Sequence, residues 1–364
     1  MTLFKHRTPY ERLAKFLNQM PNGFPLTEDG THLRVLEWIF TPEEAEIFQK
    51  MKFIEESVKK IARRLKMPVD ETAKKLEIMI SKGQIRYSDT KNGRKYGLMP
   101  FVVGIYEEQI HRIDADFSNL MQEYLEKSQG DVIFSTSPAI HKVIPVRSTI
   151  KTDLTIHTKN EAEKLVMNAK SWGVRDCICR KQQHLIGNEC KYPLSVCLMF
   201  SSNPNKDYND SHDTRAITKE EALDVIKEAQ EAGLIHSTAN YSEGQSYICN
   251  CCTCCCGVIG ALTKYDQPNA FVKSDFRLQI DEEFCTGCGT CLERCQFEAL
   301  EIVDGICTVN QRCVGCGVCA MVCPEDAMHL VPREDKDIKK QPKNQNFWMI
   351  KRAIKRKVNL LKFL

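Results

Sequence analysis

The chain has 364 residues, a formal net charge of +3 and a hydrophobic content of 42%. That length and composition predict two or three domains with real cores, and no stretch approaches the roughly 20 apolar residues of a membrane span. The 19 cysteines are the anomaly. With no signal-peptide-like run in the first residues, they point to thiols kept reduced for metal in the cytoplasm rather than to a disulfide framework.

The first segment, residues 1–105, reads as helical. An amphipathic helix runs from Pro9 to Met20, followed by a turn-rich link. From His32, Leu33, Leu36, Ile39 and Phe40 share a helical face, and Thr41-Pro42-Glu43-Glu44 is a helix start with a capping Thr and an early Pro. Further helices are expected over 57–65 and 69–82, with Leu76, Met79 and Ile80 facing inward and Gly83 ending the second. Residues 84–99 alternate around Asn92-Gly93, a hairpin signal. Helix, helix, hairpin over 31–105 resembles a winged helix-turn-helix domain. Lys74 and Lys75 on its last helix, and Arg86, Lys91, Arg94 and Lys95 on the hairpin, would then meet phosphates. A scaffold with a solvated basic face is preferred, because no Asn, Gln or Arg cluster on that helix is built to read base edges.

The second segment, residues 106–273, predicts a mixed α/β cysteine-rich domain. A long helix is expected over 106–128, and extended stretches over 131–150 are broken by Pro138 and Pro145. A helix over 158–172 would be capped by Thr158 with Glu161 three residues on. Cys177, Cys179, Cys190 and Cys197 follow. Thr218 and Glu221 then form a capping box ahead of a helix that stops near Gly233. A second burst holds Cys249, Cys251, Cys252, Cys254, Cys255 and Cys256. A core does not concentrate free cysteine so locally. The two bursts therefore read as one metal-binding unit, with an iron–sulfur cluster ahead of zinc; structural zinc at Cys177, Cys179, Cys190 and Cys197 alone stays open. Arg180 would hydrogen-bond sulfur or pair with an acid. His184, His212 and His236 read as surface or core residues rather than ligands.

The third segment, residues 274–335, carries two copies of Cys-x2-Cys-x2-Cys-x3-Cys. They are Cys285, Cys288, Cys291, Cys295 and Cys313, Cys316, Cys319, Cys323, each followed by an acidic residue, an alanine and an apolar residue. Zinc sites pair their cysteines and would leave the third of each run unused. The run is the one that ligates [4Fe–4S] clusters in bacterial ferredoxins, where the fourth cysteine serves the other cluster. The segment resembles the dicluster ferredoxin family. The resemblance implies two [4Fe–4S] clusters, one on Cys285, Cys288, Cys291 and Cys323, the other on Cys313, Cys316, Cys319 and Cys295. One departure is Gln296, where the second copy has Pro324; it is expected to loosen the turn and change solvent access near Cys295. Cys307 reads as a packing residue.

The layout as a whole is similar to a group of ferredoxin-like proteins with a winged-helix start, a CxCR segment, a CxCCxCCC run and a C-terminal dicluster ferredoxin. The last segment, residues 336–364, is a basic linker and an amphipathic helix. Phe347, Ile350, Ile354, Val358 and Leu361 share one face, with Lys351, Arg352, Lys355, Arg356 and Lys362 largely opposite. It suits an anionic membrane surface or an acidic partner through 346–364, or docks on its own domain. Together these features predict an α+β iron–sulfur electron carrier, or the electron-transfer subunit of a redox complex. No nucleotide-binding glycine motif follows a strand, so a redox partner, such as a flavoprotein, is expected. Alternatives are an iron–sulfur redox sensor that binds DNA through the winged helix, or a catalytic iron–sulfur oxidoreductase acting at the central thiols.

Overall fold

A computed structural model describes residues 8–151, 161–209, 213–267 and 269–364. They form a mixture of helices and strands, as an α+β chain should, in two compact units. One comprises 1–137, 182–188 and 349–364; the other comprises 138–181 and 189–348.

In the first unit, α1 (Thr8–Asn18), α2 (Thr31–Ile39) and α3 (Pro42–Phe48) pack through Leu13, Leu17, Val35, Leu36 and Phe48. The start of α3 is the expected one. Thr41 accepts from the Glu44 N–H, and the Glu44 carboxylate accepts from the Thr41 N–H. Next come β1 (Glu56–Ser57), α4 (Val58–Leu65), α5 (Val69–Ser81), β2 (Arg86–Thr90) and β3 (Gly93–Gly97). The strands form a sheet in the order β1-β3-β2. Thr90 pairs with Gly93, so the turn is Lys91-Asn92, one residue earlier than the Asn-Gly signal suggests. Gly93, at φ 96°, opens β3.

The helix expected over 106–128 is broken. A 3-10 turn covers Glu107–Gln109, and α6 (Ala115–Ser128) starts only after Asp114, whose carboxylate accepts from the Phe117 N–H. An aspartate side chain competes for backbone donors and makes a better cap than helix interior.

The second unit is built on a seven-stranded sheet. Its elements in chain order are β4 (His141–Val143), α7 (Ala162–Asn168), β5 (Ser171–Arg175), α8 (Ile178–Leu185, which runs on into residues of the first unit), β6 (Cys197–Ser201), β7 (Thr214–Ile217), α9 (Lys219–Ala232), β8 (Ile235–Ala239), β9 (Tyr247–Cys251), α10 (Gly257–Tyr265) and β10 (Phe271–Val272). The strand order is β10-β4-β8-β9-β6-β5-β7, with only β10 and β4 parallel. Ala162, Val166, Ala222 and Ile226 from α7 and α9 pack on Val174, Leu198, Phe200, Ile217 and Ile248 of the sheet. The capping box of Thr218 and Glu221 is present, and Gly233 closes α9 at φ 88°. Thr158, the expected cap of the preceding helix, and His212 lie outside the described residues; α7 itself begins after Glu161. Of the extended stretches expected over 131–150, β4 is the strand that forms.

The chain continues as β11 (Phe276–Ile280), α11 (Thr290–Arg294), β12 (Leu300–Val303), β13 (Ile306–Val309) and β14 (Met328–Pro332). β11 pairs with β14 and β12 with β13, both antiparallel.

The last helix, α12 (Gln345–Arg356), leaves its apolar stripe outside and buries one of its cations. Phe347, Ile350, Ile354 and Leu361 are exposed, at 52%, 42%, 70% and 76%, while Arg352 is fully buried. Its guanidinium donates to the carbonyls of Pro21, Asn22, Val132, Ile133 and Thr136. Arg356 donates to Asn18 and Met20. Helical periodicity cannot reveal a pocket of loop carbonyls, and a planar five-donor fork fills one well.

Candidate metal centres

The doubled cysteine run frames two cavities. Cys285, Cys288, Cys291 and Cys323 line one, with Gly287, Gly289, Ile302, Cys307, Pro324 and Met328. Cys295, Cys313, Cys316 and Cys319 line the other, with Gly315, Gly317, Leu278, Leu300 and Leu330. Their empty volumes, mouths included, are nearly equal at about 330 and 310 Å³. The crossed sets implied by the ferredoxin resemblance are thus the sets the fold brings together. Glycine is required where loops pass close to backbone. A Cβ on Gly287 would lie 2.2 Å from the Gly305 carbonyl oxygen, and one on Gly315 would lie 2.1 Å from that of Phe276.

The acidic–Ala–apolar repeat has a physical role. Glu298 and Asp326 take left-handed backbone at φ 49° and 50°. That turn aims the Ala299 N–H at Cys295 Sγ and the Ala327 N–H at Cys323 Sγ, each at 3.4 Å. Leu300 and Met328 then open β12 and β14. The Cys307 N–H reaches Cys285 Sγ at 3.3 Å, and the buried Cys307 thiol lies 3.6 Å from Cys291 Sγ. Donors of this kind stabilise thiolate charge and tune a bound cluster. Burial pushes the Cys316 thiol up to about 12 and raises Cys319 and Cys291. Cys288, exposed, is held down by hydrogen bonding from Thr290. The first set therefore opens to solvent, while the second is set deeper; Val146 donates to the Cys316 carbonyl at 2.9 Å. Thiol donors, apolar walls and N–H groups aimed at sulfur fit an iron–sulfur cluster in each cavity.

The ten central thiols are delivered by strands and helix ends. Cys197 opens β6, beside β9; Cys249 and Cys251 are two residues apart on β9 and share one of its faces. Cys177 and Cys179 lie at the start of α8, and Cys256 is the residue before α10. The Cys177 thiol interacts with Cys179 and Cys197, Cys179 with Cys256, Cys256 with Cys251, and Cys251 with Cys249. The charges of Cys249 and Cys197 also act on each other across the closing edge. These six thiols are thus linked neighbour to neighbour in a ring of interactions.

Cys190, Cys252, Cys254 and Cys255 stand apart from it, their sulfurs all within 4.8 Å of one another. Individual separations are 3.9 Å for Cys190–Cys252, 3.7 Å for Cys190–Cys254 and 3.6 Å for Cys254–Cys255. Val196, Ala229 and Leu234 form the apolar floor under this group. Each group carries one thiol held well below the usual range. Contacts from Cys179 and Cys197 do so for Cys177, helped by Arg180, and contacts from Cys252 and Cys255 hold Cys254 at about 4. The structure thus separates Cys190 from Cys177, Cys179 and Cys197, with which the sequence order groups it.

Arg180 lies between the groups, 2% exposed. It donates to the Asn250 carbonyl at 3.1 Å and approaches Cys252 Sγ at 3.7 Å, and its charge also acts on Cys177 and Cys197. A buried guanidinium needs compensating negative charge; the lowered Cys177 thiol offers it on one side, and the Cys252 sulfur approaches on the other. Asn250 faces away from the thiols: its amide donates to the Val196 carbonyl and its Oδ1 meets His236 Nδ1. Burial lowers the His236 pKa. His184 is exposed on α8.

Sequence reading missed the role of Gln296. Its side-chain oxygen accepts from the Thr253 N–H at 2.9 Å, and its amide donates to the Gly233 carbonyl. Arg294 donates to the Gln230 and Glu231 carbonyls. Residues on both sides of Cys295 are thus fastened to the central thiol region, and the turn is clamped rather than loosened. The absent proline was the visible signal.

Residues 278–301 and 308–329 each match the family model of the 4Fe-4S binding domain. Each match spans one of the two cysteine runs, so the C-terminal part of the chain is a ferredoxin-like iron–sulfur domain with an electron-transfer role. No curated protein matches the chain.

Proposed function

We propose that the protein is an electron carrier, or the electron-transfer subunit of a redox complex, holding two [4Fe–4S] clusters on its eight ferredoxin cysteines. The observation that carries this reading is the pair of near-equal cavities, each lined by one crossed set of four thiols. Bound there, the clusters supply reversible one-electron transfer. The chain's own residues orient the thiolates, donate N–H groups to sulfur and keep water from the deeper site. The exposed rim near Cys288, with Phe284 and Ile302 beside Glu283 and Glu325, is the face offered to a redox partner such as a flavoprotein. The central thiols bind metal as well.

We retain four segments, 1–105, 106–273, 274–335 and 336–364. The order helix, helix, strand, helix, helix, hairpin and the β1-β3-β2 sheet support a winged helix over 31–105. Three of its six named cations are engaged internally: Lys75 with Glu43 and Glu71, Arg86 with Glu55, and Arg94 with Glu77 and Asp89. That favours a scaffold over a DNA-reading sensor. The exposed stripe of α12, beside exposed Lys351 and Lys355, is the surface proposed for an anionic partner.

The test compares anaerobically purified full-length protein with a variant carrying serine at all eight ferredoxin cysteines. The variant should bind about eight fewer irons, as two cubanes require, and lose the corresponding reversible reduction. Equal iron in both proteins would overturn the proposal.

A further inference from the structure

The ten central thiols divide by distance, not by position in the chain. In a tetrahedral thiolate site each metal–sulfur bond is about 2.3 Å, so neighbouring sulfurs sit roughly 3.8 Å apart. The measured 3.6, 3.7 and 3.9 Å among Cys190, Cys252, Cys254 and Cys255 are those edges. A cubane holds its four cysteine sulfurs farther apart, because each is bonded to a different iron. The ferredoxin cavities provide an internal measure. Among the described residues, the Cys190 group is the one whose potential ligand atoms all fall within 4.8 Å of one another, and neither ferredoxin set does so.

The other six thiols interact neighbour to neighbour, and among the described residues they form no group whose sulfurs all lie within 4.8 Å of one another. Six thiolates exceed what one tetrahedral ion takes. The burst from Cys249 to Cys256 feeds both groups. Cys249, Cys251 and Cys256 go to the ring, while Cys252, Cys254 and Cys255 meet Cys190. Arg180 supplies a second, independent observation. Four thiolates on a divalent ion leave a net charge of −2, and a buried cation 3.7 Å from Cys252 offsets part of it. The same cation faces Cys177 and Cys197 of the ring.

We propose that the central thiols hold two separate metal centres. Cys190, Cys252, Cys254 and Cys255 bind a single tetrahedral thiophilic ion, zinc or iron. Cys177, Cys179, Cys197, Cys249, Cys251 and Cys256 enclose a polynuclear iron–sulfur centre. The division rests on the reading that these thiols bind metal, and is independent of the ferredoxin clusters. Loading the single site exchanges the remaining thiol protons for the ion and involves no change of oxidation state.

The test uses the full chain, purified anaerobically from cells supplied with iron and zinc, and two double variants. Cys190→Ser with Cys254→Ser should lose one metal ion per chain and leave the remaining iron and its absorption unchanged. Cys177→Ser with Cys251→Ser should lose several irons and keep the single ion. X-ray absorption on the unmodified protein needs no variant to fold. It should show an ion with four sulfurs at about 2.3 Å and no neighbouring metal, seen at the zinc edge, or as an isolated high-spin iron by EPR. Two results would overturn the division: both variants releasing all central metal together, or an unmodified protein in which every metal has a metal neighbour and zinc is absent. A central region empty of metal in the eight-serine ferredoxin variant would instead remove the metal reading itself.

Discussion

The ferredoxin segment and the central thiol region solve the same problem, holding clustered thiolates, with opposite means. In the ferredoxin segment a local loop supplies three sulfurs and the other run supplies the fourth, so each cavity is framed by glycine turns and backbone N–H groups. In the central region a sheet and the ends of two helices deliver the sulfurs, and residues adjacent in sequence, Cys251 and Cys252 or Cys255 and Cys256, belong to different groups. Charge is handled differently too. Peptide N–H groups reach sulfurs in both regions, but the central ones also have a buried guanidinium beside them. Linear spacing reports metal geometry when the ligands share a loop, and ceases to when tertiary structure gathers them.

The sharpest way to break the comparison is Arg180→Gln. Removing the partner of a buried charge costs about 3–5 kcal/mol, so retention of metal by the central thiols should fall at least a hundredfold in a chelator titration. The eight ferredoxin cysteines should keep their iron. Parallel loss from both regions would show that the guanidinium supports the fold rather than the thiolates beside it.

A second test uses acid. His141 sits on β4 of the sheet that carries the central thiols, buried against Tyr247 and Ser237, and burial lowers its pKa to about 4. A pKa below the unfolded value of about 6.5 means that the unfolded chain binds the extra proton first. The stability is therefore complete above pH 6.5 and is lost as pH falls towards 4, by up to about 3 kcal/mol. Chemical denaturation at pH 7.5, 6 and 5 should show this slope in the unmodified protein and a flatter one in His141→Gln. Identical slopes would place the acid sensitivity elsewhere.

The smallest effect should come from Gln296→Ala. Two side-chain hydrogen bonds to backbone are lost, worth about 2 kcal/mol together. Amide exchange at Thr253 should accelerate by roughly tenfold or more, with little change at Ala327, whose N–H faces Cys323 in the other half of the ferredoxin segment. Unchanged exchange at Thr253 would mean that the clamp is not what protects it.

Legibility in the sequence followed how local each cause is. Thr41 with Glu44 and Thr218 with Glu221 mark two helix starts, and Gly83 and Gly233 mark two stops, because caps and left-handed turns act within four residues. The three-cysteine loop of each ferredoxin run was legible for the same reason, while the crossed fourth thiol came from the family resemblance, since it lies on the other run. Asp114 breaks a helix that periodicity alone would continue. Arg352 reads as a solvent-facing cation until the carbonyls of Pro21 and Ile133, far away in the chain, are placed around it. The split among the central thiols depends on the pairing of β6 with β9 and on where α8 and α10 begin. None of these is encoded in cysteine spacing.

The clamp at Gln296 has a consequence for how the protein acquires its metals. The residue follows Cys295, a thiol of the deeper ferredoxin cavity, and grips Thr253, which lies between Cys252 and Cys254. Filling either site fixes one end of the clamp and lowers the ordering entropy left for the other. The two loading equilibria are then linked, and linkage is reciprocal: whatever factor the first metal adds to the affinity of the second, the second adds to the first. Two hydrogen bonds set the ceiling at about 2 kcal/mol, roughly thirtyfold. Emptying one site therefore weakens the other by at most that factor, a loss that a tightly held metal absorbs without leaving.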